Sequence, residues 1–130
     1  MSVYVPQEEI RRPRWLQPYL PAKHISLAEH PWQAHHLFGL CREARINDVH
    51  EENGLVVFDL RRRRWEDDPS GKTSSPARLI VRGTRTTTGE WRRGCLFLFG
   101  AVEERGVVIT LSGGACLTIS GDKFGVALVE

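Results

Sequence analysis

Four consecutive arginines, Arg61 to Arg64, run directly into Trp65. Guanidinium groups beside an aromatic ring are the side chains that pair with phosphates and stack on bases. The same residue types are enriched in the hot spots of protein–protein interfaces. Further arginines sit beside tryptophans elsewhere: Arg92 and Arg93 follow Trp91, and Arg11, Arg12 and Arg14 precede Trp15. Together these twelve residues are the candidate binding surface.

Strand alternation divides the run. In an extended segment, Arg62 and Arg64 continue the face of Val56, Phe58 and Leu60, while Asp59, Arg61, Arg63 and Trp65 lie on the other. Glu66, Asp67 and Asp68 follow at once, so four arginines against three acids leave this segment at +1. Because buried arginines without partners are costly, the strand is expected to leave the core near residue 61.

Other constellations are weaker. A phosphate loop ending in Gly71-Lys72-Thr73 requires its first glycine at position 66, which is Glu66. His30, His35, His36 and Cys41 do not converge on one ion if their segment is helical, and no paired zinc-ligand motif occurs. Asp48, His50, Glu51 and Glu52 read as an acidic, histidine-bearing loop, which meets Cys41 or Asp59 only by tertiary contact. No nucleophile elbow or dinucleotide loop is present. No cofactor and no metal are assigned, and an enzyme with a site near His50 and the 66–75 loop is the least supported class.

The elements that must position these groups fit one domain. The chain has 130 residues, 18 basic against 16 acidic, and 41% hydrophobic residues, the balance of an ordinary globular protein. Its charge alone does not announce a nucleic-acid partner. Cys41, Cys95 and Cys116 are odd in number and apolar in setting, which suits free thiols in a reducing compartment. With no secretory or membrane-spanning stretch, the protein is expected to be soluble and intracellular, cytoplasmic or nuclear, with no membrane partner.

Prolines at 6, 13, 18 and 21 mark residues 1–25 as an arm, expected to dock on its own domain through its aromatics. Residues 26–130 are expected to form a single α+β domain. Ala34, Leu37, Phe38, Cys41 and Ala44 lie at helical spacing and predict one principal helix. It starts either at Ser26, with Glu29 in capping-box spacing, or at Pro31 with His30 as cap. "NDVHEENG" then reads as the exit loop. Strands follow from residue 54: 54–65, 77–83, 91–102, 106–112, 115–120 and 123–129. The expected architecture is one helix on a curved, mainly antiparallel sheet of five or six strands, with a C-terminal meander and a partly closed barrel as one form of it.

Gly113-Gly114 and Gly121-Asp122 read as two-residue hairpin turns. That register puts Val108, Thr110, Ala115, Leu117 and Ile119 on one face and Val107, Ile109, Leu111, Cys116 and Thr118 on the other. No charge occurs from Gly106 to Gly121, so both faces read as needing cover, by a curling sheet or by another chain. The function expected first is therefore a small binding module or adaptor acting through protein contacts or self-association, a viral or phage accessory protein among the candidates. An RNA- or single-stranded-DNA-binding domain using the Arg/Trp surface is the alternative.

Overall fold

The computed structural model describes residues 13–104 and 106–130. Among these residues, two 3₁₀ turns (Arg14–Tyr19 and Pro31–Gln33) and one helix, α1 (Ala34–Leu40), accompany β1 (Ile25–Ala28), β2 (Arg45–Glu52), β3 (Leu55–Arg63), β4 (Ser74–Arg82), β5 (Thr84–Thr88), β6 (Phe97–Glu103), β7 (Gly106–Leu111), β8 (Cys116–Ser120) and β9 (Val126–Val129). All pairings are antiparallel, in a five-stranded sheet of order β1-β9-β4-β3-β2 and a four-stranded sheet of order β5-β8-β7-β6. The α+β class and the antiparallel pairing hold; among the described residues the strands number nine, in two sheets rather than one, and the sheet does not close into a barrel.

Each strand of the first sheet alternates as its sequence dictates. Val56, Phe58 and Leu60 of β3 face the inter-sheet core with Leu79, Val81, Val126 and Leu128, and meet Val107, Ile109, Leu117 and Ile119 of the second sheet. Leu55 and Val57 point the other way, yet they too are buried. With Ile80, Ala127 and Val129 they form a second cluster, capped by Leu16, Trp15 and Tyr19 from residues 14–19. The described part of the N-terminal arm therefore packs on the outer face of the five-stranded sheet.

The helical stripe is correct and the helix is shorter than expected. Ala34, Leu37, Phe38, Cys41 and Ala44 are all buried, but α1 has only seven residues. Pro31 begins its leading turn, where the side chain of Gln33 accepts the N–H groups of Glu29 and His30 at 3.1 Å each. Ser26 belongs to β1 instead. Glu43, at φ 61°, ends the helical path, and "NDVHEENG" is mostly strand β2 rather than a loop. Asn53 and Gly54, at φ 52° and 76°, turn β2 into β3, the left-handed pair that a two-residue hairpin prefers.

The register of the later hairpin differs from expectation by one residue. The N–H of Leu111 bonds the carbonyl of Ala115 at 2.9 Å, so the loop is Ser112-Gly113-Gly114, with the glycines at φ 88° and 96°. The one-residue slip exchanges the two faces of β7 relative to β8, whose Ala115, Leu117 and Ile119 keep the core face expected of them. Val107, Ile109, Leu111, Ala115, Leu117 and Ile119 are consequently all buried on the inner face. Thr118 and Ser120 face outward, alongside Thr86. The outer face is uncharged because it is threonine-rich, not because it is a second core.

Gly121-Asp122 is not a hairpin turn. β8 ends in one sheet and β9 lies in the other, and the chain crosses between them beside Gly83, where β4 passes into β5. At Gly83, with φ 132°, a Cβ would stand 2.5 Å from the Ser120 carbonyl oxygen. The opposite corner is tied by residues 44–46 bonding to 94–97. Among the described residues no helix is long and apolar enough to cross a membrane.

Candidate anion-binding site

The arginine run stays in the sheet instead of leaving it. β3 continues to Arg63, and Arg62 takes the core-facing position with 2% of its surface exposed. Its partners resolve the cost of burial. The Nε and Nη2 atoms donate to Glu130 Oε1 at 3.0 and 2.7 Å, and Nη1 and Nη2 to the two Glu66 oxygens at 2.9 and 2.6 Å. Nη1 also reaches the carbonyls of Leu40 and Arg63. Arg64 bonds the second Glu130 oxygen and Asp67. Desolvation works against the Arg62 charge, but the Glu66 and Glu130 bonds outweigh it and raise the Arg62 pKa. Arg62 holds the Glu66 carboxyl at about 2, well below its ordinary value. Arg62 and Arg64 are thus a structural ion network and not free for a ligand.

Arg61 and Arg63 have the opposite fate. On the outer face, Arg61 donates to Ser74 Oγ at 2.9 Å and Arg63 to the Gly71 carbonyl at 2.7 Å, neutral acceptors that orient the guanidinium groups without cancelling them. β2 places Arg45 directly opposite Arg61, a like-charge pairing that destabilises a sheet unless something anionic intervenes. Lys72 joins them, and the four cations line a cleft of about 270 Å³ with Ser74, Leu96 and one acid, Glu43. No ion pair joins any of the four to a carboxylate among the described residues. The 66–75 loop that supplies Lys72 is ordered by Asp68, whose carboxylate accepts the N–H and hydroxyl of both Ser70 and Thr73. The Ser70 hydroxyl and the Thr73 N–H lower the Asp68 pKa to about 2.

The remaining sequence candidates do not join this cleft. Trp65 is half-buried, with its indole N–H on the Arg42 carbonyl at 2.9 Å and the Arg42 guanidinium 4.6 Å from its ring centroid; it also leans on Gly71. Trp91 packs on the core. Arg92 and Arg93 line a separate cleft of about 590 Å³ with Glu90, and Arg93 donates to the Asn47 carbonyl at 3.1 Å. Arg14 is exposed on the docked arm, and Trp15 lies beneath Arg82, 5.5 Å from ring centroid to guanidinium carbon. Arg11 and Arg12 lie outside the described residues. Among the described residues the shared Arg/Trp face is therefore not assembled: Trp15, Trp65 and Trp91 are occupied in packing, and the arginine run divides into the structural pair Arg62 and Arg64 and the uncompensated pair Arg61 and Arg63.

Arg45 and Lys72 did not stand out in the sequence. The signal for Arg45 was its alternation with Ile46 and Val49, which becomes visible only once 45–52 is recognised as a strand. Further along the same outer face, Asp48 and His50 of β2 meet Asp59 of β3, with His50 Nδ1 3.0 Å from Asp48 and 3.9 Å from Asp59. His50 thus finds Asp59 across the hairpin, while the 66–75 loop lies at the far end of β3. Comparison with protein-family models, with curated proteins and with solved structures finds no match.

Proposed function

We propose that the protein is a binding module that takes a phosphate-bearing ligand in the cleft of Arg45, Arg61, Arg63 and Lys72. The observation that carries this reading is the facing of Arg45 and Arg61 across the β2–β3 ladder with no carboxylate partner. A dianionic group between the two guanidiniums removes their repulsion and gains charge-assisted hydrogen bonds that arginine's fork geometry suits. Since no free tryptophan lines the cleft, recognition rests on phosphate and not on base stacking, so a nucleic-acid ligand is held by its backbone without sequence preference. The test is calorimetric titration with inorganic pyrophosphate and, separately, with a short single-stranded oligonucleotide. Binding that weakens with salt and is lost in Arg45→Ala/Arg61→Ala supports the reading; pyrophosphate alone points to a small phosphate ligand, the oligonucleotide alone to a polymer backbone. Absence of both overturns it.

A second reading, protein contact or self-association, is favoured by Leu98 and Phe99 of β6. They are 40% and 57% exposed, and Phe99 stands opposite Thr110 on the uncharged outer face. Light scattering decides it: association abolished by Phe99→Glu supports this reading, and a monomer at all concentrations removes self-association.

A further inference from the structure

The ladder that opposes Arg45 to Arg61 also opposes Asp48 to Asp59. We propose that Asp48, His50 and Asp59 form a binding site for a first-row divalent metal ion of the manganese or zinc type. Alternation puts Asp48 and His50 on one face of β2, and a bulge between Ile46 and Asp48 sets Asp48 against Asp59 of the neighbouring strand. One donor atom from each of the three lies within 4.8 Å of the others.

The imidazole lies between carboxylates. His50 Nδ1 is 3.0 Å from Asp48 Oδ2, and Nε2 is 3.4 Å from Glu52 Oε2. Nδ1 is also 3.9 Å from Asp59 Oδ2, so it is the ring nitrogen that converges with both carboxylates. The site is also braced from outside: Arg78 Nε holds Asp59 Oδ1 at 2.9 Å, leaving Oδ2 on the side of His50, as the outer partners of metal-bound carboxylates do. Three carboxylates, Asp48, Glu52 and Asp59, against the Arg78 guanidinium leave room for two positive charges.

One imidazole with two carboxylates is a mixed nitrogen and oxygen donor set. That suits manganese or zinc better than calcium or magnesium, which favour oxygen alone. With three protein ligands the ion keeps open positions for water or for a ligand's oxygen. The metal site shares no residue with the basic cleft, and it stands or falls apart from the phosphate reading.

The experiment is a titration of the full chain with manganese chloride, followed by free-ion electron spin resonance and by paramagnetic broadening of backbone amide signals. The expected result is one ion per chain, displaced by zinc, with the signals of residues 48–50 and 59 broadened first. Asp48→Asn and Asp59→Asn should each weaken binding at least about tenfold, while Asp122→Asn leaves it unchanged. The broadening map on the unmodified chain answers the question even if a variant fails to fold. No saturable binding, or broadening centred elsewhere, overturns the proposal.

Discussion

Arg62 shows how one side chain divides a run of arginines between structure and surface. It is buried and clamped by Glu66 and Glu130, so Arg62→Met should destabilise the fold by about 3 kcal/mol, chiefly by stripping Glu66 and Glu130 Oε1 of their buried partner and leaving Arg64 alone to hold the two carboxylates. Urea denaturation checks this, with Arg62→Met/Glu130→Gln recovering part of the loss. The Glu66 carboxyl adds a pH dependence. Its folded pKa, about 2, lies below the ordinary value of 4.5, so its contribution is present above pH 4.5 and is lost as pH falls toward 2. Its partial exposure to solvent limits that contribution to about 1 kcal/mol. The melting-temperature difference between Glu66→Gln and the parent chain should therefore be present near neutrality and vanish in acid. Burial likewise pushes the Cys41 thiol up to about 12, and alkylating reagents should leave it unmodified in the folded protein.

At the scale of elements, the docked arm and the corner between sheets are the tests. Leu16 is fully buried against Val57, Ile80 and Ala127; Leu16→Ala should cost about 2–5 kcal/mol of unfolding free energy, as expected of a true core position. An exposed arm would lose almost nothing. Gly83→Ala meets both a left-handed φ and the Ser120 carbonyl, and should destabilise by more than about 1 kcal/mol. Much was legible in the sequence: the stripe from Ala34 to Ala44, the alternation of Val56, Phe58 and Leu60, and strands β4, β6, β7, β8 and β9 stood out, whereas β1, β2 and the threonine-rich β5 did not. What failed was local geometry. Ser26 looked like a cap but lies in β1, because pairing with β9 outweighs capping spacing. "NDVHEENG" looked like a loop because its outward residues are charged, although Ile46 and Val49 alternate inward and Asn53-Gly54 is a strong turn signal. A three-residue loop in place of a two-residue turn reversed the face of β7 relative to β8.

For the whole molecule, the consequence of recognising β2 is functional. Arg61 and Arg63 were identifiable from sequence as one half of the arginine run, but their opposing Arg45 was not, since cross-strand register depends on a bulge that composition does not reveal. The same register brings Asp48 to Asp59. One outer face thereby carries an uncompensated basic cleft, with Arg45, Arg61 and Arg63 on strands and Lys72 on the loop before β4, and, further along the same ladder, a histidine with two carboxylates. Phosphate binding in the cleft is probed most sharply by the salt dependence of oligonucleotide affinity for the parent chain and for Arg61→Ala. Log affinity should fall linearly with log salt, and the variant should bind more weakly, with a slope shallower by about 0.7 for each phosphate that Arg61 neutralises. A slope unchanged by Arg61→Ala, or binding that ignores salt, would remove the cleft as the phosphate site.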